Sequence, residues 1–441
     1  MSSSSGRRVL NRMDRAVLVT DRFLSSIGHP GMQCQVQVWF ADRISESRLR
    51  RAVQGIVEAH PVVTGRLVPT SRLADAHWRF PVEGPEPLRV EELEDDDDRA
   101  VQARAASAFA PIDLEVEPPL RLSLLRRPSQ GDVLLLHFSH VLMDGKAPEL
   151  LLAEMGGIDR GEPAPSPAPG GSDELTDWYR DHSLGRRLRA GLRHAVRNYR
   201  VARPGRAGHP VRMAMPEAPR WGRGEVRIRG RSPGPELSSR IRRRARETVG
   251  FEHLIPVLLA SLWRAVDRTC AWDRRPEAPF RAVLPISLRP SATRPVPPVC
   301  NLSSYVGVSA TRPELADRAE LCQTIASRFR DRLRDGAEIG GVQSLRWLGR
   351  RDDRIRRAVV DRGWRLSTMA FAYHGRDSRL SGEMFGSRVE RFYNLVPAMS
   401  VPTLSVTDLN GLHLGLTYTP DLLTDEVADE LLDAFVDDLS G

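Results

Sequence analysis

The stretch His137-Phe138-Ser139-His140-Val141-Leu142-Met143-Asp144-Gly145 gathers groups that can move a proton. An imidazole titrates near neutrality, so His140 can take a proton from an alcohol or amine while that group attacks a carbonyl. Asp144 follows four residues on, within reach of the loop backbone or of a nearby arginine such as Arg121. Gly145 is expected to allow a sharp turn that a side chain would resist. Two plainer readings compete. A histidine after a strand is often just a satisfied polar residue, and Asp-Gly is a common turn pair. A metal reading would enlist His137, His140 and Asp144, but no fourth ligand and no helical His-Glu-x-x-His pattern accompanies them.

Such residues need elements to hold them. Val133–Phe138 is a nearly continuous apolar run, the pattern of a strand at the centre of a sheet, and it leads directly into His140. Leu120, Leu122 and Leu124 alternate with polar residues and predict a neighbouring strand. Cys34, Val36, Val38 and Phe40 alternate likewise and predict a half-buried strand. Ser45 caps a helix whose apolar face is Leu49, Ala52, Val53, Ile56 and Val57, stopping at His60-Pro61. A short helix is expected around Glu149–Met155. The Gly/Pro-rich stretch Gly156–Ser172 then reads as a linker and places the main boundary there.

In the second half, Leu188, Leu192, Val196 and Tyr199 form one stripe of a basic helix, and Leu254–Val266 is a strongly apolar helix. Phe280–Ile286 reads as a strand. Asn410-Gly411 predicts a tight hairpin between Leu404–Val406 and Leu412–Leu416, and Thr424 caps a final helix. The mixture gives an α/β (α+β) class with two lobes, residues 1–172 carrying the histidine motif and residues 173–441 forming the second.

The 441 residues suit two domains of roughly 200 residues each. A hydrophobic share of 41% with 28% charged residues is ordinary for a soluble globular chain. No run approaches the roughly 18–20 apolar residues of a membrane span, and Met1–Arg15 lacks the apolar stretch of a secretory signal. A cytoplasmic address is the expectation. Cys34, Cys270, Cys300 and Cys322 lie far apart without a Cys-x-x-Cys pair, which argues for free buried thiols. The net charge of +8 is carried by arginine, with Lys146 the only lysine, and concentrates in Arg186–Arg246. A basic face could meet coenzyme phosphates, anionic lipid or an acidic carrier protein. Nucleic acid is disfavoured, because no recognition motif or stacking-aromatic pattern accompanies the arginines. The chain has no Walker loop, no Gly-x-Gly-x-x-Gly after a strand and no Gly-x-Ser-x-Gly elbow, so kinase, dehydrogenase and serine-hydrolase readings lose their support.

The segment Ser139–Gly145 resembles the His-His-x-x-x-Asp-Gly motif of nonribosomal peptide synthetase condensation domains. Its core, His-x-x-x-Asp-Gly, also marks plant BAHD enzymes, wax ester synthases and mycobacterial acyltransferases associated with polyketides. Three further segments are similar to the family in the same order: Ala59–Leu67, Ile112–Leu122, and Leu284–Pro290 followed by Asn301. The resemblance implies two chloramphenicol-acetyltransferase-like lobes with an active-site tunnel between them. It makes His140 the catalytic histidine and Asp144 a mainly structural aspartate paired to an arginine, for which Arg121 is the candidate. Ser139 stands where the family's first histidine stands, with His137 as a further supporting residue. The plant family's late Asp-Phe-Gly-Trp-Gly is absent, with Val406–Gly411 in its place.

By this resemblance the donor is acyl-CoA or an acyl group on the phosphopantetheine of an acidic carrier protein. The acceptor is a small molecule bearing a hydroxyl or amine, with ester formation ranked ahead of amide formation. No tightly bound cofactor or metal is expected, and a monomer would hold a complete site. Ser303, Ser304, Ser405 and Thr407 are chemically able to donate to an oxyanion. The rival readings are a non-catalytic binding relative, and an enzyme using the same base for dehydration, epimerisation or cyclisation on a carrier-bound substrate.

Overall fold

β7 (Val133–Ser139) is buried at every position, which is why its sequence is apolar almost throughout. In the computed structural model it pairs antiparallel with β2 (Gln33–Phe40) on one side and β6 (Leu120–Arg126) on the other. β5 (Leu88–Glu92) runs parallel to β6 at one edge. β13 (Ser387–Leu395) joins β2 on the other side, with β12 (Glu383–Met384) outermost. A single cut at residue 172 therefore does not describe the sheets, because residues 383–395 return to complete the first lobe's sheet. The second sheet runs β10 (Ser303–Thr311), β9 (Pro279–Ser287), β11 (Met369–Arg376), β14 (Thr403–Asp408), β15 (Leu412–Tyr418) and β8 (Arg227–Gly234). A third, small sheet has β4 (His77–Phe80) between β1 (Gly6–Val9) and β3 (Arg66–Val68). The structure describes residues 6–70, 75–80, 87–165, 174–202, 210–213, 225–250, 253–270, 275–289, 298–348, 367–376, 378–380, 382–398 and 401–441.

Helices cover these sheets. α1 (Arg12–Ser26), α2 (Glu46–Ala59), α4 (Ala147–Asp159) and α5 (Glu174–Arg180) enclose the first lobe's core. α7 (Pro235–Val249), α8 (Leu254–Thr269), α9 (Arg318–Arg334) and α11 (Asp425–Ser440) enclose the second. α6 (Leu184–Ala202) packs on α10 (Ala337–Leu348). α3 (Asp98–Ser107) closes the remaining face of the first sheet and meets β8 of the second lobe, so Trp39, Ala105, Leu135, Ile228 and Tyr393 share one core across the lobes.

That shared core corrects the expectation of a half-buried β2, since all eight of its residues are buried. Its polar positions survive burial by bonding to one another and to α3. Gln37 Nε2 donates to Gln35 Oε1 (2.9 Å), and Gln35 Nε2 donates to the Ala105 carbonyl (2.8 Å). α4 is longer than Glu149–Met155 and absorbs Gly156 and Gly157, so the glycines at the start of the supposed linker lie in a packed helix. Residues 166–173, Pro290 and the side chain of Tyr199 lie outside the described residues. The Ser45 cap of α2, the Thr424 cap of α11 and the hairpin at Asn410-Gly411, where Asn410 takes φ +53°, are present as read.

Candidate active site

β7 ends at Ser139, whose buried Oγ accepts from the Val141 N–H (3.2 Å) and starts the turn. His140 follows, its own N–H tied to the Met32 carbonyl (2.8 Å) on the stretch joining α1 to β2. The ring is met by Asn301, two residues before β10, with Nδ1 and Oδ1 3.2 Å apart. The amide of Asn301 can face only one way. Its Nδ2 lies 2.8 Å from Asp14 Oδ1, 2.8 Å from the His140 carbonyl and 3.2 Å from the Val141 carbonyl, all of which are acceptors. Oδ1 must therefore face the ring, so His140 Nδ1 is the donor, and in the neutral ring Nε2 is the acceptor. Among the described residues no side chain engages Nε2. A half-buried imidazole with one nitrogen pinned as a donor and the other open is arranged to accept a proton.

Asp14 belongs to the cap of α1. Asn11 Oδ1 accepts from the N–H groups of Met13 and Asp14, and Asp14 Oδ2 accepts from the Asn11 N–H (2.8 Å). Asn11 Nδ2 also donates to the Asn301 carbonyl (3.1 Å). The start of the first helix thus holds the residue that orients His140.

Asp144 is nearly wholly buried, and its oxygens are occupied. Arg289 Nη1 donates to both (2.7 and 2.7 Å), the Leu302 N–H donates to Oδ2 (2.7 Å), and the N–H groups of Lys146 and Ala147 donate to Oδ1 (3.1 and 3.2 Å). Arg289 also donates through Nη2 to the carbonyls of Pro298 and Cys300 (3.2 and 2.9 Å). Asp144 bridges the two lobes through Arg289 and the Leu302 N–H.

Arg121 is not its partner. It sits on β6 opposite His137, and its guanidinium pairs with Glu117 (2.6 Å), because the strand register fixes it beside β7 while Asp144 lies beyond the strand's end. Gly145 is corrected too. It does not adopt the left-handed conformation, and what its missing side chain allows is close approach: a Cβ there would meet His374 Cε1 at 3.3 Å. His137 is buried against Phe109, and burial, with a smaller push from the charge of Arg121, lowers its pKa to about 3. It is a neutral core residue.

One cluster beside the motif gave no sequence signal. Lys146, the only lysine, pairs with buried Glu149, which meets His374 Nδ1 at 3.0 Å. Asn394 Nδ2 donates to the Gly145 carbonyl (2.6 Å) and lies 3.2 Å from His374 Nδ1. Three elements, α4, β11 and β13, thereby meet behind Gly145. Of the possible oxyanion donors, Ser304 donates to the Glu338 carbonyl (2.8 Å) and Thr407 to the Phe392 carbonyl. Ser405 is buried with no partner among the described residues, and Ser303 is half-buried on β10. The described residues contain no group of three or more His, Cys, Asp or Glu side chains placed to hold a metal ion.

A cleft of about 890 Å³ opens between the lobes, walled by the end of α1 with Gly28–Pro30, by α3 and Phe109–Pro111, and by Glu225–Arg229 with Asp425 and Asp429. His140, Asp144, Arg289 and Asn301 do not line it; the cleft reaches Pro30, two residues along the chain from Met32, whose carbonyl holds His140. A volume of this size suits a long, partly apolar ligand.

The two sheets, their interlobe cleft and the histidine loop at the junction define the chloramphenicol-acetyltransferase-like architecture of condensation domains, and the chain has that fold. It is similar over 99% of its length to the first condensation domain of the calcium-dependent antibiotic synthetase, with a TM-score of 0.73 and 16% identity over 96% of that chain. An epimerization domain from the third module of tyrocidine synthetase B matches at 0.65 and 14%, covering 99% of this chain and 96% of that one. The cyclization-docking bidomain EpoB from Sorangium cellulosum matches at 0.70 and 13%, covering 100% and 86%. No protein-family model and no curated protein sequence matches the chain. Among the described residues no single helix is long and apolar enough to cross a membrane.

Proposed function

We propose that the protein is an acyltransferase that moves an acyl group from a thioester to a hydroxyl or amine, with His140 Nε2 as general base. The orientation of Asn301 carries this reading, because it makes Nδ1 the donor and leaves Nε2 as the acceptor of the neutral ring. The acceptor's O–H or N–H gives its proton to Nε2 as its oxygen or nitrogen attacks the thioester carbonyl. The tetrahedral intermediate then expels sulfur, and the imidazolium returns the proton to the leaving thiolate. No acyl-enzyme is needed. All four cysteines are buried, and burial pushes the thiols of Cys270 and Cys322 up to about 12 and about 11 and that of Cys34 higher still.

The donor is acyl-CoA or a carrier-bound acyl group, and an ester is the preferred product. Purified protein with a panel of acyl-CoAs, then with acyl carrier proteins, should release free thiol only when an alcohol or amine is added, with a product of matching mass. Intact thioesters across both panels would contradict the proposal. A second reading, epimerisation or cyclisation on a carrier, is favoured by the similarity to an epimerization and a cyclization domain. It predicts altered mass or stereochemistry on the carrier with no acceptor present.

A further inference from the structure

α6 turns the wrong side outward. Its residues Leu184, Leu188, Leu192 and Val196 recur every four positions and form one apolar stripe, yet they are 62%, 62%, 67% and 40% exposed. The packed side is instead the small one. Ala190 and His194 are buried against α10, where Gly336 and Gly340 leave no room for larger groups: a Cβ on Gly340 would lie 2.6 Å from His194 Cβ. Close helix packing through glycine and alanine thus forces the leucines into solvent.

Charge frames the stripe. α6 carries six arginines and no acidic residue. On a helix advancing 100° per residue, Arg189 and Arg193 fall along one border of the stripe. Both are exposed, and only Arg193 is tied to a carboxylate among the described residues, 3.0 Å from Asp335.

We propose that this face docks the protein on an anionic lipid surface, with the four aliphatic side chains entering the acyl boundary and Arg189 and Arg193 meeting the phosphates. A convex stripe of aliphatic residues bordered by arginine is the pattern of an interfacial helix. Charge selects the partner: a helix with six arginines and no acidic residue beside an aliphatic stripe complements an anionic surface. A second copy would bring one acid-free, arginine-rich helix against another. The inference rests on α6 alone and stands apart from the transfer chemistry.

The test is sedimentation of the full chain with phosphatidylcholine vesicles, with and without phosphatidylglycerol. The protein should partition at least about tenfold better onto the anionic vesicles, and high salt should weaken this. Leu188→Glu with Leu192→Glu should abolish binding while the thermal unfolding midpoint stays near that of the parent, since both positions are exposed. Arg189→Gln with Arg193→Gln should reduce binding to the level of neutral vesicles. Equal binding by the leucine variant, no preference for anionic lipid, or a self-association or acidic carrier complex lost in the same variant would overturn the proposal.

Discussion

In the first lobe the proposed base stands at the end of one strand, four residues from the aspartate that fixes its loop. In the second lobe the groups that hold both come from the connection between β9 and β10, with Arg289 two residues past one strand and Asn301 two residues before the other. One half of the site is local in the chain and the other spans 145 and 161 positions. The loop of His140 is thus shaped at home but oriented from the other lobe. Neither lobe alone has a base with a defined proton position.

Breaking the Asp144–Arg289 bridge should cost most. Arg289→Ala leaves the Asp144 carboxylate buried without its counter-charge, and about 3–5 kcal/mol of stability should go, read from denaturant unfolding. A loss below about 1 kcal/mol would mean that the lobes are held elsewhere. Asn301→Ala comes next. It removes one donor from Asp14 Oδ1 and from two carbonyls and frees His140 to take either tautomer, so about 1–3 kcal/mol should be lost. kcat should fall with KM little changed, because the residue acts through His140 and not on the substrate; a rise in KM alone would assign it to binding.

Acid should act through the buried histidines. Burial holds the pKa of His137 at about 3 and those of His194 and His413 at about 4, below the ordinary value of 6.5. The unfolded chain therefore binds protons that the folded chain does not, and the stability present above pH 6.5 is lost as pH falls toward 4. Asp21 works the other way. Burial, opposed by the Met32 N–H, lifts it to about 6, so its contribution is present below about pH 4 and lost as pH rises through 6. Among the described residues His29, His182 and His253 are lowered as well, and Asp132 and Glu338 are raised, so six histidines stand against three carboxyls, and the unfolding midpoint should be lower at pH 4.5 than at pH 7.5. Asp21→Asn should stabilise the protein at the higher pH by up to about 2 kcal/mol and change little at the lower. The smallest effect belongs to Arg121→Ala. Its pair with Glu117 is partly exposed, so the loss should stay within about 0.5 kcal/mol; a large one would restore Arg121 as a partner of the aspartate.

The local half was legible because its information is local. An apolar run ending in His140 and Asp144 names a strand and a turn before any partner is known, and the resemblance to condensation domains followed from that turn and three other segments. Arg289 and Asn301 belong to a segment that resembles the family, but their residue types carry no sign of what they touch, and Arg121 lies nearer to Asp144 in the chain without being its partner. Asp14 carried a readable signal, the Asn11-x-x-Asp14 capping pattern, though not its second bond to Asn301. β2 is more buried and the stripe of α6 more exposed than their patterns alone can tell, for one reason. Alternation and stripes report which side of an element is apolar, while burial is decided by what packs there, α3 and β8 over the glutamines of β2, glycines of α10 against the small face of α6.

The central claim is that Nε2 of His140, held open by Asn301, takes the acceptor's proton. The direct measurement is acceptor-dependent thiol release by wild type and His140→Ala under saturating donor, with unfolding midpoints recorded alongside. The account predicts at least about a 100-fold loss of rate with the midpoint nearly unchanged. A variant that keeps its rate within a few-fold would contradict it and leave His140 as a structural residue of the turn.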